Sequence, residues 1–152
     1  MSSGTPNTML RTLEDKVAFQ IVRTIAKGGM GTVYEARQRG AEGFEKRVAI
    51  KTVLSELSGD RRFVDLFIQE AKLVADLVHE NIVQIYQFGR TQSEYYIVME
   101  YINGLSLAEF IRLHTMTQAP IPEPLVVFIA SRIARGLAYA HARVDREGQP
   151  LN

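Results

Sequence analysis

Ile25-Ala26-Lys27-Gly28-Gly29-Met30-Gly31-Thr32-Val33, with Val48-Ala49-Ile50-Lys51 a short way downstream, is the reading on which the fold turns. The glycines separate two β-prone runs: Phe19, Ile21, Val22 and Ile25 before them, and Thr32-Val33-Tyr34-Glu35-Ala36 after. In a dinucleotide-binding turn the glycines would open a helix, but β-branched and aromatic residues follow here. A Walker-type loop ends in Gly-Lys-Ser/Thr, whereas this order is Lys27-Gly28. What remains is strand, loop, strand. Read alone, such a loop is as well explained by a tight hairpin as by a flap whose backbone N–H groups approach phosphate oxygens.

The next strand shifts that balance. A strand lysine usually points to solvent. In Val48-Ala49-Ile50-Lys51, however, alternation puts Lys51 on one face with the small Ala49. A small side chain beside a cation leaves room for a flat ring, with phosphates beyond it in reach of the ammonium.

Outward from this centre the period changes twice. A third strand is expected over 47–54 and a hairpin connection over 39–46. From 60 to 78 the apolar residues Phe63, Leu66, Phe67, Val74 and Leu77 recur at helical spacing, with Asp60 as N-cap and Phe63, Leu66 and Phe67 as core. Strands follow over 82–88 and 95–101. Asn103-Gly104 breaks the chain, a short helix covers 105–114, and Pro124 opens a long helix to about 144. Residues 1–16, rich in Ser, Thr, Gly and charge, read as a disordered tail.

Composition narrows the chemistry. With 152 residues, 46% hydrophobic and 23% charged, the chain is of globular type and long enough for one core. A net charge of +1 gives no reason to expect nucleic acid as a partner. No apolar run is long enough for a membrane segment. Cysteine is absent, which removes disulfides and thiolate catalysis and fits a cytoplasmic protein. His79, His114 and His141 are not spaced with carboxylates as metal ligands, so no metal site is expected on them.

Taken in order, these segments resemble the eukaryotic-like serine/threonine protein kinases, above all the bacterial branch with Gly-Gly-Met-Gly in the loop. Gln69-Glu70-Ala71 carries a match to the family's helix glutamate, and His79-Glu80-Asn81-Ile82-Val83 is similar to its His-x-Asn turn. Tyr96-Ile97-Val98-Met99-Glu100-Tyr101-Ile102 resembles the last N-lobe strand and hinge. Ala134-Arg135-Gly136-Leu137-Ala138-Tyr139-Ala140-His141 resembles the first large C-lobe helix. The resemblance implies an α+β fold: a kinase-like N-lobe with a five-stranded antiparallel sheet and one helix, then a short and a long helix of the C-lobe. It divides the chain into an N-lobe with glycine-rich loop and hinge over 17–102 and a partial C-lobe over 103–152.

The resemblance also assigns roles, residue by residue. The cofactor is ATP, with Mg²⁺ only in a full-length protein. Gly28 and Gly31 match the second and third loop glycines, and Ala26 stands where the first normally lies. Ile25 and Val33 would cover the adenine, with Ala49 beside them and Met99 as gatekeeper. The Glu100 carbonyl and Ile102 N–H match the groups that bind the adenine edge, and Ser106 is a candidate ribose contact. Lys51 would reach the phosphates while Glu70 holds it; without the other motifs, a solvated helix carboxylate would explain Glu70 as well. In the family, His-Arg-Asp and Asp-Phe-Gly follow the long helix, whereas this sequence stops at Asn152. The expectation is therefore the ATP-binding part of a serine/threonine kinase that acts on a protein substrate when full-length and is inactive alone. The alternatives are a non-catalytic nucleotide-binding or protein-interaction module, or an unrelated α+β domain. The apolar face of the long helix, with Leu125, Phe128, Ile129, Ile133 and Leu137, is then a candidate surface for self-association.

Overall fold

The computed structural model describes residues 17–29, 31–53, 61–92 and 94–143. Strands β1 (Ala18–Lys27), β2 (Gly31–Arg39) and β3 (Glu45–Val53) come first, with a 3₁₀ turn at Ala41–Gly43. Helix α1 (Arg61–Ala75) precedes β4 (Ile85–Arg90) and β5 (Tyr95–Glu100), and α2 (Leu107–Met116) and α3 (Glu123–His141) close the order. The strands form one sheet in the order β1-β2-β3-β5-β4, and every pair is antiparallel. The expected α+β architecture is thus present.

Alternation along the strands builds two apolar layers. Ala36, Val48, Ile50 and Val98 pack on one face, with Phe19 and Tyr96 against them. Val53 and Ile97 lie on the other face and receive Phe67 and Ala71 of α1. The buried stripe of α1 is Val64, Phe67 and Ala71, at the i, i+3, i+7 spacing of one helix face. Leu66, expected in the core, is instead half exposed at 50%. It lies about 100° around the helix from Phe67. Gly89 faces Tyr96 across the β4–β5 ladder, and a Cβ there would collide with the tyrosine ring.

Several boundaries differ from the sequence expectation. Residues 82–84 are not strand; β4 starts at Ile85. Ile82 N–H donates to the His79 carbonyl and Asn81 N–H to His79 Nδ1, which closes a turn in place of a ladder. Helix α1 ends at Ala75 and does not continue to 78. Asp60 and Leu54 lie outside the described residues, as do 1–16.

Helix α2 starts two residues later than Leu105, at Leu107, because Ser106 caps it. The Ser106 hydroxyl accepts from Glu109 N–H at 3.2 Å, and Glu109 Oε2 accepts from Ser106 N–H at 2.9 Å. This reciprocal capping box satisfies two otherwise orphaned donors. The helix ends through Gln118 at φ 53°, where Ala119 N–H donates back to the His114 carbonyl.

The cap makes a pH-dependent prediction. The Ser106 backbone N–H, then its hydroxyl, hold the Glu109 carboxyl below its ordinary value of 4.5. A depressed folded-state pKa contributes stability above the unfolded value, and that contribution is lost as pH falls through the folded one. Denaturant titrations should therefore show Glu109→Gln less stable than wild type at pH 7, with the gap closing in acid. Ser106→Ala should cost about 1 kcal/mol at pH 7.

Candidate nucleotide site

The site is built on the face of the sheet that α1 covers. Lys51 pairs with Val33 on β2 and Ile97 on β5, and Ala49 pairs with Glu35 and Met99. These two cross-strand rows place Val33, Lys51, Ala49 and Met99 together. Ala49 is buried, while Val33 and Met99 are half-buried.

Glu70 comes to this face from α1. Lys51 Nζ donates to Glu70 Oε1 at 2.6 Å and Oε2 at 2.8 Å. Glu70 is one helical turn beyond Phe67, so the packing that buries Phe67 carries the carboxylate to the sheet. Lys51 Nζ also stands 5.7 Å from the centre of the Phe67 ring. Its side chain is 23% exposed and that of Glu70 is 48% exposed, so the ammonium borders open space on one side.

The loop is held at its base. Gly28 N–H donates to the Gly31 carbonyl at 2.9 Å. Gly31 lies across from Val53 in the ladder, and a Cβ on it would be driven into the Thr52 carbonyl. Glycine is required there by close approach of two backbones. Ala26, expected from the resemblance to stand at a glycine position, is a strand residue opposite Val33. Among the described residues the non-glycine positive φ angles belong to Glu42 and Gln118, so alanine is unstrained at 26. Ile25 falls in a register irregularity of β1 and is 42% exposed. Met30 lies outside the described residues.

The segment expected to form the hinge follows β5 directly. Glu100 N–H donates to the Gln84 carbonyl at 2.9 Å, and Glu100 Oε2 accepts from Gln84 N–H at 3.4 Å. Ile102 is exposed. Ser106 stands at the start of α2 with its hydroxyl engaged by Glu109, as acceptor from N–H and as donor to Oε2 at 2.8 Å.

Sequence reasoning passed over four residues at the rim: Arg23, Glu35, Arg47 and Tyr101. Glu35 is buried, and its carboxylate bridges Arg23 and Arg47. The signal was in the alternation. Glu35 lies two residues past Val33, and Arg47 two before Ala49, so both share the site's face.

A five-stranded antiparallel sheet with a glycine loop between its first two strands, a strand lysine paired to a helix glutamate, and helices after the last strand is the arrangement of a kinase-type fold. The family profile of the protein kinase domain matches residues 19–144, and the chain belongs to that family. It is 41% identical over 134 residues to the tyrosine-protein kinase MasK of Myxococcus xanthus, covering 88% of this chain and 21% of that protein. It is 35% identical over 136 residues to the serine/threonine-protein kinase PknJ of Mycobacterium tuberculosis, covering 88% of this chain and 22% of that protein. The crystal structure of the Mycobacterium tuberculosis PknI kinase domain matches with a TM-score of 0.60 and 26% identity, over 81% of this chain and 48% of that one. The chain thus spans about a fifth of these curated relatives and half of a solved kinase domain.

Gly31 gives the sharpest structural test. Gly31→Ala should lower stability by about 1–3 kcal/mol, the usual range for forcing atoms into filled space. Gly29→Ala, where an added Cβ meets nothing within 4 Å, should be nearly silent in the same thermal melt.

Proposed function

We propose that this chain is the ATP-binding part of a serine/threonine protein kinase. The observation that carries the reading is the Lys51–Glu70 pair, both carboxylate oxygens on one ammonium, on the sheet face that also carries the small, buried Ala49. In this reading Lys51 binds the phosphates and Glu70 fixes its rotamer. Gly28 and Gly31 keep the loop low over them, Ile25, Ala26 and Val33 cover the base, and Met99 closes the back. The Glu100 carbonyl and the Ile102 N–H meet the adenine edge. When bound, ATP supplies the phosphoryl group and Mg²⁺ offsets charge on it. The residues of this chain bind and orient; the protein that carries them would act on Ser or Thr of a protein substrate. ATP as ligand suits a cytoplasmic site. Among the described residues no helix is long and apolar enough to cross a membrane.

A second acceptor is supported by a specific observation: MasK, at 41% identity, bears the name of a tyrosine kinase. Phosphoamino-acid analysis of the full-length protein's product separates the two, and phosphotyrosine alone would overturn the serine/threonine assignment. We also infer a capacity for self-association through α3, whose Val127, Phe128 and Leu137 are each more than half exposed.

Calorimetric titration tests the nucleotide reading. Lys51→Met should weaken ATP binding about tenfold or more, the loss of a charge-assisted contact. Ala49→Leu should abolish it by filling the ring's place. Unchanged affinity in both variants would contradict the site.

A further inference from the structure

We propose that Glu35, acting through Arg23 and Arg47, is a positioning residue that fixes the hinge at Tyr101 and thereby sets preference for adenine over guanine. The inference rests on the nucleotide reading above and deepens it. The β3–β5 ladder ends at Val48 opposite Glu100. One position further, where Arg47 and Tyr101 would meet, side chains take over. The Arg47 guanidinium lies 5.1 Å from the centre of the Tyr101 ring, and Arg23 Nη2 donates to the Tyr101 hydroxyl at 3.2 Å. Both arginines are more than half exposed and would be free to turn away into water. Glu35 prevents this. Its Oε2 accepts from Arg23 Nε at 2.7 Å, and its Oε1 stands 3.6 Å from Arg47 Nε. The backbone that carries it is fixed on both sides, since Glu35 pairs with Arg23 on β1 and with Ala49 on β3. One buried residue of the central sheet thus holds both arms that grip the hinge.

The consequence follows from base chemistry. A hinge that offers a carbonyl at Glu100 and an N–H at Ile102 matches the amino donor and ring-nitrogen acceptor of adenine. Guanine presents O6 and N1–H there, so like poles face each other. Rejection of guanine requires that the hinge cannot shift to relieve the mismatch. Tyr101 lies between the two recognition groups, so anchoring it fixes both.

The test is a pair of dissociation constants, for ATP and GTP, on wild type, Glu35→Gln and Tyr101→Phe. Glu45→Gln serves as control, since it weakens ion pairs to Arg37 and Arg39 at the far end of the β2–β3 hairpin. The ATP-over-GTP ratio should fall about threefold to tenfold in Glu35→Gln, the worth of one or two net hydrogen bonds. It should fall less, in the same direction, in Tyr101→Phe and not at all in Glu45→Gln. General loosening of the fold would lower the melting temperature and the binding-competent fraction but leave the ratio alone. Tyr101→Phe removes a single hydroxyl, so it decides the matter even if Glu35→Gln fails to fold. An unchanged ratio in the folded variants overturns the positioning role only. A wild type that binds neither nucleotide overturns the site reading and this inference together.

Discussion

The contact of Lys51 with Glu70 joins a strand to a helix 19 residues away, and the rest of the site is arranged around that junction. The pair itself adds little to stability. With Lys51 23% and Glu70 48% exposed, solvent screens much of its attraction, and such pairs contribute about 0–1 kcal/mol. Burial of Phe67, 3% exposed, contributes about 1.5–3 kcal/mol. Packing therefore holds α1 on the sheet, and the ion pair decides where the lysine points. That division suits a binding site: the helix is seated by apolar contacts with Val53 and Ile97, and the ammonium stays available beside open space.

The far end of α1 is tied to α3. Val78 N–H donates to the Tyr139 hydroxyl at 3.2 Å, and the His79 ring lies 4.9 Å from the Tyr139 ring. Arg132 Nη1 donates to Glu80 Oε1 at 2.6 Å. Gly136 is buried where a Cβ would press on the Asn81 carbonyl at 3.3 Å. The 78–82 turn is thus the fixed end from which α1 reaches Lys51, and β4 begins only beyond it, at Ile85.

Much of this was legible in the sequence because it rests on period. Strand alternation put Lys51 with Ala49, and the β-branched run after Gly31 excluded a helix. What period does not carry was missed. Val64 and Leu66 lie about 200° apart around α1; both are apolar, and the position of the sheet decides that Val64 is buried and Leu66 exposed. The Ser106 capping box was readable as Ser-x-x-Glu, Ser106 to Glu109, but Leu105 drew the boundary two residues early. Glu35 was hidden because a strand carboxylate normally means solvent. Its burial depends on two arginines from strands on either side, a three-strand coincidence that no local window contains.

The central claim is that Glu70 acts on nucleotide through Lys51. A double-mutant cycle on ATP affinity tests it most directly, with Lys51→Met and Glu70→Gln singly and combined. The account predicts that Glu70→Gln weakens ATP when Lys51 is present and has no further effect in the Lys51→Met background. Independent, additive losses would show that Glu70 does not work through the lysine and would contradict the account.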